Sequence, residues 1–320
     1  MTMRMPAAAL ALVLAVFAAP GRAEMLGHGA MVNSVAVSPD GRQLLSASWD
    51  YTVRLWDLEK QAELRVLDGH TASVNTVLFL PDGRGALSGS WDHAIIRWDL
   101  ASGRETARLT GHVNNVSGIA LSRDGRWLAS ASWDRTAKLW DLTTNKPIRS
   151  FEGHDANVMQ VAFAMDDTQL VTVSYDLSVR LWDIATGREL AQMTGHTASV
   201  NAVAVTPDGR TALTGSTDGQ IKRWDLVTRR EVGSLAGHGA FITSLAISKD
   251  GRYALSGGGD RLMRLWDLNE GRQVLQFAGH DKPVWSVAFT PDGKRAVSGG
   301  YDTVIKLWSL ESGREIASRP

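Results

Sequence analysis

The chain has 320 residues and no cysteine. That excludes structural disulfides, cysteine-ligated metal, a thiol nucleophile and lipid attachment through an N-terminal cysteine. It has no surplus of charge either: 34 Lys and Arg stand against 34 Asp and Glu, a formal net of zero. No bulk field therefore draws it to nucleic acid or to an acidic membrane face. Like-charge blocks and low-complexity tails are missing. So is any stretch with a sustained helical period, any phosphate-binding glycine loop and any helix-borne zinc motif. Long apolar runs are scarce. The longest, "AAALALVLAVFAA" from Ala7 to Ala19, is shorter than the roughly 20 residues a membrane span needs.

That run reads as the core of a leader. Arg4 gives it a positive start, and "PGRA" follows with small residues at Gly21 and Ala23. Residues 1–23 are therefore expected to be a secretory signal peptide, cleaved after Ala23. The mature chain, 24–320, then carries 32 basic and 34 acidic residues, a net of −2. The expectation is a soluble protein, periplasmic or secreted, with no membrane span.

What fills the mature chain is repetition. "SASWD" at Ser46–Asp50 returns at Ser130–Asp134 and, as "SGSWD", at Ser88–Asp92. Gly-His recurs at His28, His70, His112, His154, His196, His238 and His280, always 42 residues on. Tryptophan recurs with the same step at Trp56, Trp98, Trp140, Trp182, Trp224, Trp266 and Trp308; aspartate follows six of these and Ser309 the seventh. A fixed period of this kind governs the reading of every local motif. Each unit reads as four short strands: "VNSVAV", "QLLSAS", "TVRLW" and "ELRVL" in the first. Their apolar and β-branched content suits pleated surfaces, and Pro39, Asp40 and Gly41 suit a tight hairpin closed by a left-handed glycine.

Gly-His followed by Trp-Asp, at four strands per unit, resembles the WD40 repeat of β-propellers. The resemblance covers 27–320 and implies an all-β, seven-bladed propeller with four antiparallel strands per blade. It also implies a hydrogen-bonded tetrad of His, Ser or Thr, Asp and Trp in each blade. The hydroxyl position could fall at Ser46 or two residues later at Ser48. Only the first keeps its hydroxyl in every unit, as Ser46, Ser88, Ser130, Thr172, Thr214, Ser256 and Ser298; the second degrades to Gly258 and Gly300. The aspartates are Asp50, Asp92, Asp134, Asp176, Asp218, Asp260 and Asp302, so all seven tetrads are complete.

His, Ser and Asp together invite a hydrolase reading. Seven equivalent active sites on one ring are implausible, and the tetrad has a sufficient structural task. Buried polar groups need partners or cost about 1–3 kcal/mol each. No catalytic residue, metal or cofactor is assigned. The histidines are spread one per blade, and His93, alone outside the pattern, lies in a turn.

By the resemblance, partners bind where the tetrad loops gather around the channel, at three positions per blade. Before the tetrad Asp stand Trp49, Trp91, Trp133, Tyr175, Thr217, Gly259 and Tyr301. At the start of the first strand stand Asn33, Asn75, Ser117, Met159, Asn201, Thr243 and Trp285; two residues earlier comes a third set that includes Phe241. None of these is charged. Tyr301, Trp49, Trp91, Trp133 and Tyr175 are expected to form one unbroken arc over blades seven to four, and such aromatic patches mean binding. The opposite reading has the same rings packing blade against blade. Lys and Arg, as at Arg54, Lys138, Arg42 and Arg84, are expected on solvated outer positions. The ligand class that follows is a neutral or apolar peptide segment of a protein partner. A glycan stands second, because sugars stack on Trp and Tyr, and an enzyme third. Nucleic acid is excluded, and the protein is read as a monomer. Blade seven is expected to complete itself from the C-terminus through "REIAS", and blade four to differ at "AMDDTQ", where Asp167 replaces glycine.

Overall fold

The computed structural model describes residues 27–319, so the expected leader, 1–23, lies outside the described residues. Seven four-stranded antiparallel sheets make up this part, each with its strands in sequence order. In blade one these are β1 (Val32–Val37), β2 (Gln43–Ser48), β3 (Val53–Asp57) and β4 (Ala62–Leu67), and the numbering runs on to β28 (Glu315–Arg319) in blade seven. The fold is a seven-bladed propeller.

Burial follows position in the blade. The second strands are buried along nearly their whole length, as in "QLLSAS", because a neighbouring blade covers each face. The fourth strands run along the outer edge and are mostly exposed. The apolar core accordingly lies between blades. Leu45, Val53 and Leu55 of blade one pack with Val74, Phe79 and Trp98 of blade two. The ring closes the same way: Val32, Val35 and Trp56 pack with Val297, Ile305 and Leu307 of blade seven. Gly299 brings the blades close at this seam: a Cβ there would meet a Val32 methyl at 2.6 Å, so a larger residue would force Val32 to shift. Blade seven takes all four strands from 284–319, and β28 pairs with β27 (Ile305–Ser309).

The hairpin glycines sit where the sequence placed them. Gly41 has φ of 73° and its N–H donates to Ser38 O, while the Asp40 carboxylate accepts from the Ser38 hydroxyl at 2.6 Å. That bond and the Arg42 N–H hold the Asp40 carboxyl below its usual value. Blade four departs from this. Met165, Asp166 and Asp167 all take left-handed backbone, with φ of 50°, 54° and 60°. Arg123 of blade three ties the turn down, its N–H to Asp167 and its guanidinium to Asp166, both at 2.8 Å.

One backbone feature positions the functional face. The first strand of every blade carries a bulge near its start, between Val32 and Ser34 in blade one. The extra residue is Asn33, Asn75, Ser117, Met159, Asn201, Thr243 or Trp285. A bulge re-aims a side chain, and here it delivers one per blade to the mouth of the channel.

Candidate partner-binding face

Beneath that face the tetrads form a directional chain. Trp56 Nε1 donates to Ser46 Oγ at 2.8 Å, Ser46 Oγ lies 2.7 Å from His28 Nε2, and His28 Nδ1 lies 2.8 Å from Asp50 Oδ2. The Gly29 N–H also donates to Asp50. The same chain is present in the other six blades. It ties the third strand and the second strand to the loop before the first. Each tetrad hydroxyl is fully buried and holds an indole N–H, so it reaches no substrate, and the hydrolase reading has no geometry to stand on. Burial alone would raise the Asp92 carboxyl. The His70 hydrogen bond and charge, with the N–H groups of Thr71 and Ala94, outweigh it and bring the carboxyl to about 2.

Two supporting groups escape a reading of the tetrad alone. Ser48, set aside as the weaker hydroxyl, donates to Ala30 O and accepts the Asp50 N–H, both at 3.1 Å. It anchors the loop that carries His28. The third-strand cations are the second, and here the expectation of solvated outer positions is corrected. Arg180, Arg264 and Lys306 are buried, and Arg54, Lys138 and Lys222 are half-buried. Each lies beside the tetrad and bonds a residue of the fourth strand. Arg54 pairs with Glu63, Arg180 with Glu189 at 2.7 Å, Lys222 with Glu231 and Lys306 with Glu315. Arg264 takes Gln273, and Lys138, with Pro147 nine residues on where the four pairs above have Glu, takes Ser150 opposite it. The hairpin residues Arg42 and Arg84 are exposed, as expected.

Above the tetrads the bulge residues, and the residues before the Asp of blades one to five, surround a cavity of about 450 Å³ at the channel mouth; Gly259 and Tyr301, in the same position of blades six and seven, are not in its lining. Trp49, Trp91, Trp133, Tyr175, Phe241 and Trp285 line it, with Asn33, Asn75 and Asn201, and no lining residue is charged. Trp49, Tyr175 and Tyr301 are 37%, 40% and 43% exposed, whereas Trp91 and Trp133 are half-buried. The rings thus both pack on one another and face solvent. They do so in two clusters, not one unbroken arc. Trp49, Trp91 and Trp133 touch in series with centroids 5.3 Å apart. Phe241, Trp285 and Tyr301 form the other series at 6.3 and 6.4 Å. Among the described residues no ring contact joins Tyr301 to Trp49 or Trp133 to Tyr175. Trp49 meets Trp91 and Phe241 meets Trp285 edge to face, the arrangement their quadrupoles favour, while the Trp91–Trp133 and Trp285–Tyr301 pairs are tilted.

The asparagines are engaged with the frame. Asn33, Asn75 and Asn201 donate to the carbonyls of Val74, Val116 and Ile242, each on the next blade, and Asn75 Oδ1 also takes the Trp91 indole at 2.8 Å. They clasp blade to blade around the mouth. Among the described residues no group of three or more acidic or imidazole side chains could hold a metal ion, and no helix is long and apolar enough to cross a membrane.

A closed ring of four-stranded blades, tied by His–Ser/Thr–Asp–Trp chains and opening on an uncharged aromatic cup, defines a propeller of the repeat-built interaction class. The chain belongs to the WD40 family: the description "WD domain, G-beta repeat" matches residues 22–57, 61–99, 103–141, 145–183, 187–225, 229–267 and 271–309. From the second on, each matched segment begins before the blade does, on or beside the fourth strand of the blade before, so the repeat in sequence straddles two blades. Similar proteins include the small ribosomal subunit protein RACK1 of Candida albicans, 61% identical over 33 residues, 10% of either chain. Ribosome assembly protein 4 of Saccharomyces cerevisiae is 57% identical over 35 residues, 11% of this chain and 7% of that one. Cross-pathway control WD-repeat protein 2 of Flammulina velutipes is 49% identical over 41 residues, 13% of each. Each match spans about one repeat and a small part of the relative's length.

Proposed function

We propose that this propeller is a non-enzymatic scaffold, exported from the cytoplasm, that holds a neutral or apolar peptide segment of a partner protein in its aromatic cup. One observation carries the reading: an uncharged cavity walled by six aromatic rings, in a chain with 21% charged residues. Phosphopeptides, acidic tails and nucleic acid need Arg or Lys at the contact, and the cup offers none. Peptide is favoured over glycan because Asn33 and Asn201 give both amide protons, and Asn75 one, to acceptors of the frame, which leaves sugar hydroxyls fewer donors. Export rests on the leader expected at residues 1–23.

The test is selection of a displayed random-peptide library on the immobilised protein. Uncharged, aromatic or aliphatic sequences should be enriched. Trp91→Ala with Trp133→Ala should weaken their binding by about tenfold or more, as loss of central aromatic anchors does, while the folded fraction at assay temperature stays unchanged. Peptides that bind the double variant equally well overturn the reading. Export is checked by N-terminal sequencing of the expressed protein, which should begin at Glu24.

A further inference from the structure

We propose that the segment taken by the cup is proline-rich and uncharged, held in the extended polyproline conformation; this rests on the cup being the partner site. The floor of the cavity carries the argument. Ser244, Ser286 and Ser34, on blades six, seven and one, sit one residue beyond the bulges and line the cavity side by side. Each oxygen already accepts a backbone N–H from the next blade: Val287 at 3.2 Å, Val35 at 3.0 Å and Val77 at 3.3 Å. A serine hydroxyl has one proton and two lone pairs. With the oxygen occupied by the frame, the proton is what each serine has left to give, and none of the three has an acceptor of its own among the described residues. Ser286 is only 8% exposed, so its proton has little water to turn to. The floor on these blades is a row of donors.

Beside this row, on blades one to three, stand the tilted rings of Trp49, Trp91 and Trp133. Acceptors near the rim are Asn33 Oδ1, buried without a partner, and the oxygens of Ser117 and Thr243, whose own protons go to Val158 O and Val284 O at 2.6 Å. The matching ligand brings acceptor oxygens and apolar surface, no charge and few donors. An ordinary extended peptide brings one N–H for every carbonyl, and each N–H buried without a partner costs about 1–3 kcal/mol. A sugar brings a proton with nearly every oxygen. Proline has no N–H. In the polyproline helix the carbonyls make no internal bonds and turn outward, free to accept. Proline rings pack on aromatic walls, and the conformation is preformed, so little entropy is lost on binding.

The experiment uses the whole mature chain and its tryptophan fluorescence, titrated with capped decaproline, a capped Gly-Ser ten-residue peptide and maltohexaose. Decaproline should give a saturable change and the other two none. Ser34→Ala with Ser286→Ala should weaken decaproline by about tenfold, the effect of losing two hydrogen bonds. Because those changes also strip partners from Val77 and Val35, Ser34→Thr with Ser286→Thr is the control; it keeps both hydroxyls and should keep binding. Decaproline affinity that is indifferent to Ser→Ala overturns the inference. So does a maltohexaose response, or silence towards decaproline while library-selected, proline-free peptides bind through Trp91 and Trp133. In that last case the cup reading survives. If no peptide binds the cup, both fall.

Discussion

Blades one to five and blades six and seven carry the same His–hydroxyl–Asp–Trp tetrad in two geometries. In the first group a second serine (Ser48, Ser90, Ser132, Ser174 or Ser216) donates to a carbonyl of the loop carrying the tetrad His, at 3.0–3.2 Å. There the His Nδ1 contacts a single carboxylate oxygen at 2.7–2.9 Å. In the second group Gly258 and Gly300 replace that serine. A Cβ at either would lie 2.6 Å from the Nδ1 of His238 or His280. The imidazoles occupy the space the serine uses elsewhere, and each faces both carboxylate oxygens, at 3.0 and 3.1 Å for His238 and 3.0 and 2.9 Å for His280. The lesson is that the tetrad keeps its chemistry when the loop anchor is lost, by shifting the ring and sharing the proton between two oxygens. Identity of residues along a repeat does not fix identity of geometry.

The largest expected effect breaks the second group outright. Deleting residues 311–320 removes β28, the Glu315 partner of Lys306 and the cover over blade seven's third strand. Stability should fall by several kcal/mol, on the order of the severe end for single lesions; an unchanged melting temperature would show that blade seven does not depend on its fourth strand. Next comes the part of the tetrad common to both groups. Ser46→Ala in blade one and Ser298→Ala in blade seven each leave a buried indole N–H and a buried His Nε2 without a partner, while His Nδ1 keeps its aspartate. Both should cost about 2–4 kcal/mol by denaturant titration. A cost confined to one blade would mean the geometries differ at the hydroxyl as well. The third prediction runs against repeat averaging. Gly300→Ser restores the residue that five blades have at this position, yet it should destabilise by about 1–3 kcal/mol, because its Cβ meets His280. Ser48→Gly, at the same position of blade one, should cost about 1–2 kcal/mol through the lost anchor. A stabilised Gly300→Ser protein would mean the imidazole moves back at no cost.

How much of this was legible differs by level. The fold was: a 42-residue step, four apolar segments per unit and turn glycines at Gly41 and its equivalents leave little else to build. The tetrad columns were legible because their hydroxyl never lapses. Less legible was anything decided by a neighbouring blade. Asn33, Asn75 and Asn201 look like free recognition amides until the next blade's carbonyls are placed beside them. Whether Trp91 packs or protrudes depends on Trp49 and Trp133 from two other blades. The buried cations did leave a signal. Arg54, Arg180, Lys222 and Lys306 each have Glu nine residues on, and Arg264 has Gln. Blade two has Ile96 in place of the cation, and its Glu105 pairs with Arg108 instead. A nine-residue offset is not an obvious hairpin pairing, because a bulge between the third and fourth strands shifts the register that brings them together.

The smallest effect tests whether the two groups differ in acid. His196 in blade five and His238 in blade six both titrate below the ordinary 6.5, chiefly because burial penalises the charged ring, against the pull of Asp218 and Asp260. A histidine whose folded pKa is lowered binds its proton more readily when unfolded. Its contribution is therefore complete above about 6.5 and is lost as pH falls through that value towards the folded one. The tetrad carboxylates add a second step of the same sign. Their folded values are depressed, about 2 for Asp92, so their contribution holds above about 4 and fades as pH falls towards the folded value. The melting temperature should therefore be flat above pH 7, decline gently below 6.5 and steeply below 4. Arg264, whose Nη1 lies 2.5 Å from His238 Nδ1, adds to the depression in blade six only. Arg264→Gln should raise the His238 pKa and flatten the gentle limb by roughly 1 kcal/mol or less across the pH 5–6.5 window. Lys222→Gln in blade five removes a charge that also lowers His196 but makes no hydrogen bond to its ring, and should flatten the limb less. Equal slopes in the two variants would mean that the close guanidinium sets the geometry of blade six without tuning its histidine.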